Sequence, residues 1–172
     1  MNLILRMIRV VLVACFRRRI DILDESRVRF IVWPNDLDLN VHMNNGRYLS
    51  IMDLGRFDLI VRSGLFRTIL KNRWSPVAGA VAIRYRASLK PFQRYELISR
   101  LVCWDDKWTY IEQRFERRGR VIAVAYVKAL FRDKGGSLPS KALLDAIGLS
   151  RPSPAMPPAA AAIANIEDLA RS

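Results

Sequence analysis

The chain has 172 residues, of which 51% are hydrophobic and 26% charged. That is enough for one domain with a real core, and it excludes a disordered chain. With 29 Lys and Arg against 16 Asp and Glu, the net charge is +13. A surface of that sign attracts nucleic acid, an anionic membrane, a phosphate-bearing cofactor or an acidic carrier protein. The two cysteines, Cys15 and Cys103, stand far apart in apolar settings. They form neither a disulfide framework nor a metal cluster, and they fit a reducing compartment.

The first segment, residues 1–25, opens with "MNLILRMIRVVLVACFRRR". Arg6 and Arg9 interrupt its apolar run, and the uninterrupted piece from Val10 to Phe16 is too short to span a bilayer. Arg17, Arg18 and Arg19 follow the run, where a secretory signal would carry a small-residue cleavage site, so export is not expected. On a helical wheel Asn2, Arg6, Arg9 and Arg17 share a face on which Val13 is the only apolar residue. Leu3, Ile4, Met7, Val11 and Ala14 lie elsewhere. This predicts a basic amphipathic helix, either lying on an anionic membrane or packing on its own domain. A cytoplasmic protein, peripheral on the membrane face, is the corresponding expectation.

"SRVRFIVW" (26–33) alternates as a strand and ends at Pro34. After a polar stretch, "GRYLSIMDLGRFDLIVRSG" predicts a long helix, with Asn44 or Asn45 as N-cap and Gly64 as its stop. Apolar residues lie nearly all round it, so more than one side should be buried. Gly55 on the Tyr48–Met52–Leu59 face would let it approach a sheet closely. Four strands follow, over 77–88, 94–104, 108–117 and 120–131. Tight turns at Asp105-Asp106-Lys107 and Arg118-Gly119 make the last three an antiparallel meander. The pattern is α+β. Residues 136–172 predict one short helix over 139–148 and a Pro/Ala-rich tail.

The chemistry-bearing residues gather in "DLDLNVHMNNGRYL", which holds the single histidine. This stretch resembles the signature of hot-dog fold thioesterases: Asp-x-Asp, three residues, then His-(Val/Met)-Asn-Asn-x-x-Tyr. It is similar to the 4-hydroxybenzoyl-CoA thioesterase and plant acyl-ACP thioesterase types. "HMNNGRYLSIMDLGRFDL" is also similar to the relatives of human thioesterase superfamily member 6. The resemblance covers residues 26–135 and implies a hot-dog fold, a long central helix wrapped by a curved antiparallel sheet.

Residue by residue, the resemblance makes Asp38 the catalytic carboxylate, with Asn40 and His42 matching the acyl-ACP type. The sequence departs from the family in three places. Val41 stands where Gly usually precedes the histidine, Ser88 stands where acyl-ACP thioesterases carry an acidic residue, and Asn45 stands where some members have His.

Thioester hydrolysis needs a carboxylate to activate water or attack the carbonyl, and donors to meet the oxyanion. Asp38 supplies the first, with His42 and Asn40 orienting water or substrate. The amides of Asn44, Asn45 and Gly46, at the positive end of the helix dipole, supply the second. Asp36 reads instead as a capping or loop-stabilising residue, and Tyr48, Trp104 and Trp108 as packing. Arg84 and Arg86, with Lys90, Arg94, Arg117, Arg118 and Arg120, could hold coenzyme A phosphates or an acidic acyl carrier protein, or simply be solvated. No nucleic-acid module is present, and no serine-nucleophile motif.

The expectation is an acyl thioesterase on fatty acyl-CoA or acyl-ACP, a homodimer or tetramer without metal or bound cofactor. A non-catalytic acyl-binding module or scaffold at the membrane surface is the alternative. A hot-dog dehydratase fits the motif less well.

Overall fold

In the computed structural model, which describes residues 3–166, a long helix α2 (Asn45–Arg62) lies across one antiparallel sheet. The strands are β1 (Ser26–Ile31), β2 (Ser75–Tyr85), β3 (Arg94–Trp104), β4 (Thr109–Arg117), β5 (Arg120–Asp133) and the short β6 (Gly136–Ser137). Their order across the sheet is β1-β3-β4-β5-β2, with β6 paired to β5. This is the hot-dog arrangement, and β3 to β5 form the expected meander. The β4–β5 turn takes Arg118 and Gly119 to positive φ, at 49° and 74°, the backbone sense that matches strand twist.

Helix and sheet meet where Gly55 leaves no side chain. A Cβ there would come 2.5 Å from Leu97 Cδ2 and 2.6 Å from Ser99 Oγ. The close approach lets Tyr48, Ile51 and Met52 of α2 bury fully against Leu97 and Phe115 of the sheet. A polar network crosses the same contact: Gln113 Nε2 donates to Met52 O and Ser99 Oγ, and Arg56 donates to Gln113 Oε1. Each buried polar group here finds a partner, as burial demands.

The expected caps hold. Asn44 is the N-cap of α2, its side chain accepting from Gly46 N, and Gly64 stops the helix at φ 89°. Three elements differ from expectation. A short helix α3 (Leu65–Asn72) follows Gly64 directly, burying Leu65 and Ile69 against a second apolar cluster with Phe131 and Leu143. Strand β2 runs Ser75–Tyr85 rather than 77–88, because Arg86 N and Ala87 N both turn to Ile122 O and end the ladder. The Pro/Ala-rich stretch is not all tail. After α4 (Ser140–Asp145), α5 (Pro158–Ala164) packs Ala160 and Ile163 against Val102, Cys103 and Tyr110. Pro158 sits in the first turn, where its missing N–H costs nothing.

Helix α1 (Leu3–Phe16) corrects the wheel reading. Arg6 does not share an exposed basic face. It points inward with Val10 and Ala14 and is buried. Arg9 remains outside, as does a row of apolar residues.

Candidate active site

A tight turn carries Asp38. Leu37 and Met43 pair as an antiparallel bridge, Asp38 N donates to His42 O at 2.8 Å, and Val41 N donates to Asp38 O at 3.1 Å. The carboxylate joins in: Asp38 Oδ1 accepts from Asn40 N at 2.9 Å and from His42 N at 3.2 Å. Oδ2 has no hydrogen bond among the described residues, and the side chain is only half-buried. One oxygen therefore builds the turn and the other faces outward.

Directly after the turn α2 begins, and its first amides are not equivalent. Asn44 N donates to Asp36 O at 2.8 Å. Gly46 N donates to Asn44 Oδ1 at 2.8 Å. Asn45 N has no acceptor among the described residues. Of the three amides expected to meet an oxyanion, the fold occupies two and leaves Asn45 N–H, at the positive end of an 18-residue helix.

His42 and Asn40 enter this turn through their backbones. Neither side chain has a hydrogen bond among the described residues. His42 is half-buried and Asn40 exposed. Arg84 and Arg86 are exposed and make no ion pair among the described residues. They flank Tyr85, whose hydroxyl donates to Asn45 O at 3.1 Å. Sequence reading missed Tyr85, although its alternation with Arg84 and Arg86 puts it on the helix side of β2. Tyr48 is core, as expected; burial pushes its hydroxyl up to about 12, so it cannot act as a base near neutral pH. Ser88 is exposed beside Leu89, whose carbonyl accepts from Met43 N at 2.8 Å. The loop after β2 thus abuts the Asp38 turn.

Val41 sits at φ 58°. A left-handed conformation costs a residue with a Cβ about 1–2 kcal/mol, and its side chain, 58% exposed, gains little packing in return. Glycine adopts this conformation freely but loses about 0.5–1 kcal/mol more chain entropy on folding. Val41→Gly should therefore stabilise the protein by roughly 0.5–1 kcal/mol. A higher urea midpoint at unchanged slope is the expected readout; a lower midpoint would show that Val41 is held by contacts rather than strained.

The turn is anchored from below by Asp36, which is 1% exposed. Its Oδ2 accepts from Arg6 Nη2 at 2.6 Å and from Trp33 N at 2.9 Å, and Arg47 Nε lies 3.1 Å from Oδ1. Asp36 is structural, as expected. That its main partner is Arg6 of α1 was not legible from the sequence.

A second feature lies at the other end of β2. An apolar cavity of about 210 Å³ opens between Phe57 and Ile60 of α2, Val77 and Ala78 of β2, and Ile111 and Phe131 of the sheet. No group of His, Cys, Asp and Glu that could hold a metal occurs among the described residues.

Comparison with known proteins agrees with this fold. A family model described as the thioesterase-like superfamily matches residues 32–163. Protein THEM6 of Xenopus laevis is 47% identical over 95 residues, 55% of this chain and 46% of that protein. The "Probable thioesterase YBR096W" of Saccharomyces cerevisiae is 30% identical over 122 residues, 67% of this chain and 52% of that protein. The chain thus spans about half the length of the curated relatives it matches. Among solved structures, the YbaW probable thioesterase of Escherichia coli superposes with a TM-score of 0.66 at 23% identity, covering 72% of this chain and 96% of that one. A hot-dog sheet around α2, a carboxylate turn before its first residue and a family match over most of the chain lead to one conclusion: this chain belongs to the thioesterase-like superfamily.

Proposed function

We propose that this chain hydrolyses acyl thioesters, with fatty acyl groups on coenzyme A or acyl carrier protein as the substrate class. The observation that carries the reading is the junction of turn and helix. It offers an outward carboxylate oxygen on Asp38 and one uncommitted amide on Asn45. Asp38 takes a proton from water, whose oxygen attacks the thioester carbonyl carbon. The carbonyl electron pair moves onto oxygen and is met by Asn45 N–H. Collapse of that intermediate re-forms the carbonyl, breaks the C–S bond and expels the thiolate, which takes the proton Asp38 had accepted and so returns Asp38 to the carboxylate. Arg84 and Arg86, exposed beside Tyr85, suit the phosphates of coenzyme A or an acidic carrier surface.

The apolar cavity suits an acyl chain, but it lies seven residues along β2 from Tyr85, about 23 Å in an extended strand. A second copy resolves this. β2 is an 11-residue edge strand, exposed along most of its length, and long exposed edges are normally paired or covered. Antiparallel pairing of two β2 strands sets the cavity end of one against the Tyr85 end of the other, so each acyl site would draw on both copies. Light scattering at micromolar concentration should give at least twice the 19.8 kDa chain mass. A fully active monomer would overturn the shared site.

One observation favours the alternative of a non-catalytic acyl binder. Asp38 Oδ1 is engaged by two backbone amides, as in an ordinary Asx turn. A thiol-release assay over acyl-CoA and acyl-ACP of graded chain length separates the two. Thiol release supports hydrolysis; binding of every acyl thioester with no release overturns it in favour of the binder.

A further inference from the structure

The outer face of α1 is unusual for a surface helix. Leu5, Ile8, Leu12, Cys15 and Phe16 follow one another at helical spacing along it, and all are exposed. Phe16 is 90% exposed, Leu5 58% and Leu12 57%. The inner face is already used by Arg6, Val10 and Ala14 against the domain. The apolar row is therefore a second face, and nothing among the described residues covers it.

Its rim carries one sign of charge. Arg9, Arg18 and Arg19 are exposed, with no ion pair among the described residues. No acidic residue occurs before Asp21. Most acids of the neighbouring segments are committed elsewhere: Asp21 to Arg151, Glu25 to Arg27 and Arg114, Glu96 to Arg27 and Arg29, and Asp58, buried, to Arg17 and Arg62, while Asp24 is exposed with no ion pair among the described residues.

We infer that α1 is a lipid-docking helix that lies in the plane of an anionic membrane surface, its Leu5–Phe16 row in the acyl boundary and its arginines against the headgroups. Its 14 residues span about 21 Å, short of the ~30 Å hydrocarbon core, and no helix among the described residues is long and apolar enough to cross a membrane. Charge complementarity favours lipid over a second copy of the chain. Two such faces brought together would oppose arginine to arginine, whereas an anionic bilayer neutralises them. The β2 edge, moreover, already offers a copy its own pairing surface.

Sedimentation of the full chain with phosphatidylcholine–phosphatidylglycerol vesicles tests this. The wild type should pellet with them, less so with phosphatidylcholine alone and less at high salt. Leu5→Glu/Leu12→Glu should abolish pelleting while circular dichroism stays unchanged, since both side chains are exposed. Arg9→Gln and Arg18→Gln should each weaken partition by about fivefold, and they keep the test valid if the glutamate variant misfolds. Equal pelleting of all forms, or no pelleting of the wild type, overturns the inference. So does a fall in particle mass for Leu5→Glu/Leu12→Glu, which would make α1 a face between copies. The readout involves no turnover, so its failure is separate from failure of the thioesterase reading.

Discussion

Asp38→Asn is expected to lower thioester turnover by about 10²-fold or more, the scale of a lost general base, while fold and acyl-CoA affinity survive. The structure makes this substitution unusually clean. Asparagine keeps an Oδ1 that can accept from Asn40 N and His42 N, so the turn stays closed. Only the outward oxygen changes, from a proton acceptor to an amide that cannot take a proton. Asp38→Ala, by contrast, removes the turn acceptor as well and would mix a structural loss with the chemical one. His42→Ala should cost less than Asp38→Asn, because the imidazole makes no hydrogen bond to the carboxylate. Ser88→Ala should change little. Single-turnover thiol release with each variant is the measurement. Full activity of Asp38→Asn beside a dead His42→Ala would move the base to His42.

What the sequence made legible is what local chemistry decides. Asn44 and Gly64 bracket α2 because an amide side chain caps N–H groups and glycine takes positive φ at no steric cost. Gly55 marks the close helix–sheet contact because no other residue fits there. The Asp38 turn is local as well, closed within four residues. What stayed hidden depends on partners distant in the chain. Of the three amides at the start of α2, the one uncommitted among the described residues is Asn45 rather than Asn44, because Asp36 O takes the latter. The apolar cavity needs α2 and β2 brought together, and only the apolar residues all round α2 hinted at a second buried side. The Pro/Ala stretch reads as tail because alanine carries little hydrophobic signal, yet Ala160 of α5 is fully buried with Ile163 against Val102, Cys103 and Tyr110. Arg6 read as part of the basic face of an amphipathic helix, since charge on a wheel says nothing of a carboxylate 30 residues on.

Arg6→Met is expected to cost about 3–5 kcal/mol of stability, the scale of breaking a buried ion pair from one side. Arg6 and Asp36 are 2% and 1% exposed, and Arg6 Nε and Nη1 and the Tyr95 hydroxyl are buried nearby without hydrogen bonds. The pair is therefore not an optimal way to hold α1, and its removal as a unit should be far milder than its halving. Arg6→Met leaves Asp36 with Arg47 and Trp33 N alone. Asp36→Asn leaves a guanidinium buried without a counter-ion. The double variant Arg6→Met/Asp36→Asn should recover about 2–3 kcal/mol relative to the sum of the singles. Denaturant midpoints over this cycle give the coupling. The consequence reaches the site, because Asp36 O holds Asn44 N and Asp36 lies two residues before Asp38. Turnover of Arg6→Met should thus fall at temperatures where the rest of the fold is intact, and return in part with the double variant. Additive singles would show that α1 and the Asp38 turn are anchored independently.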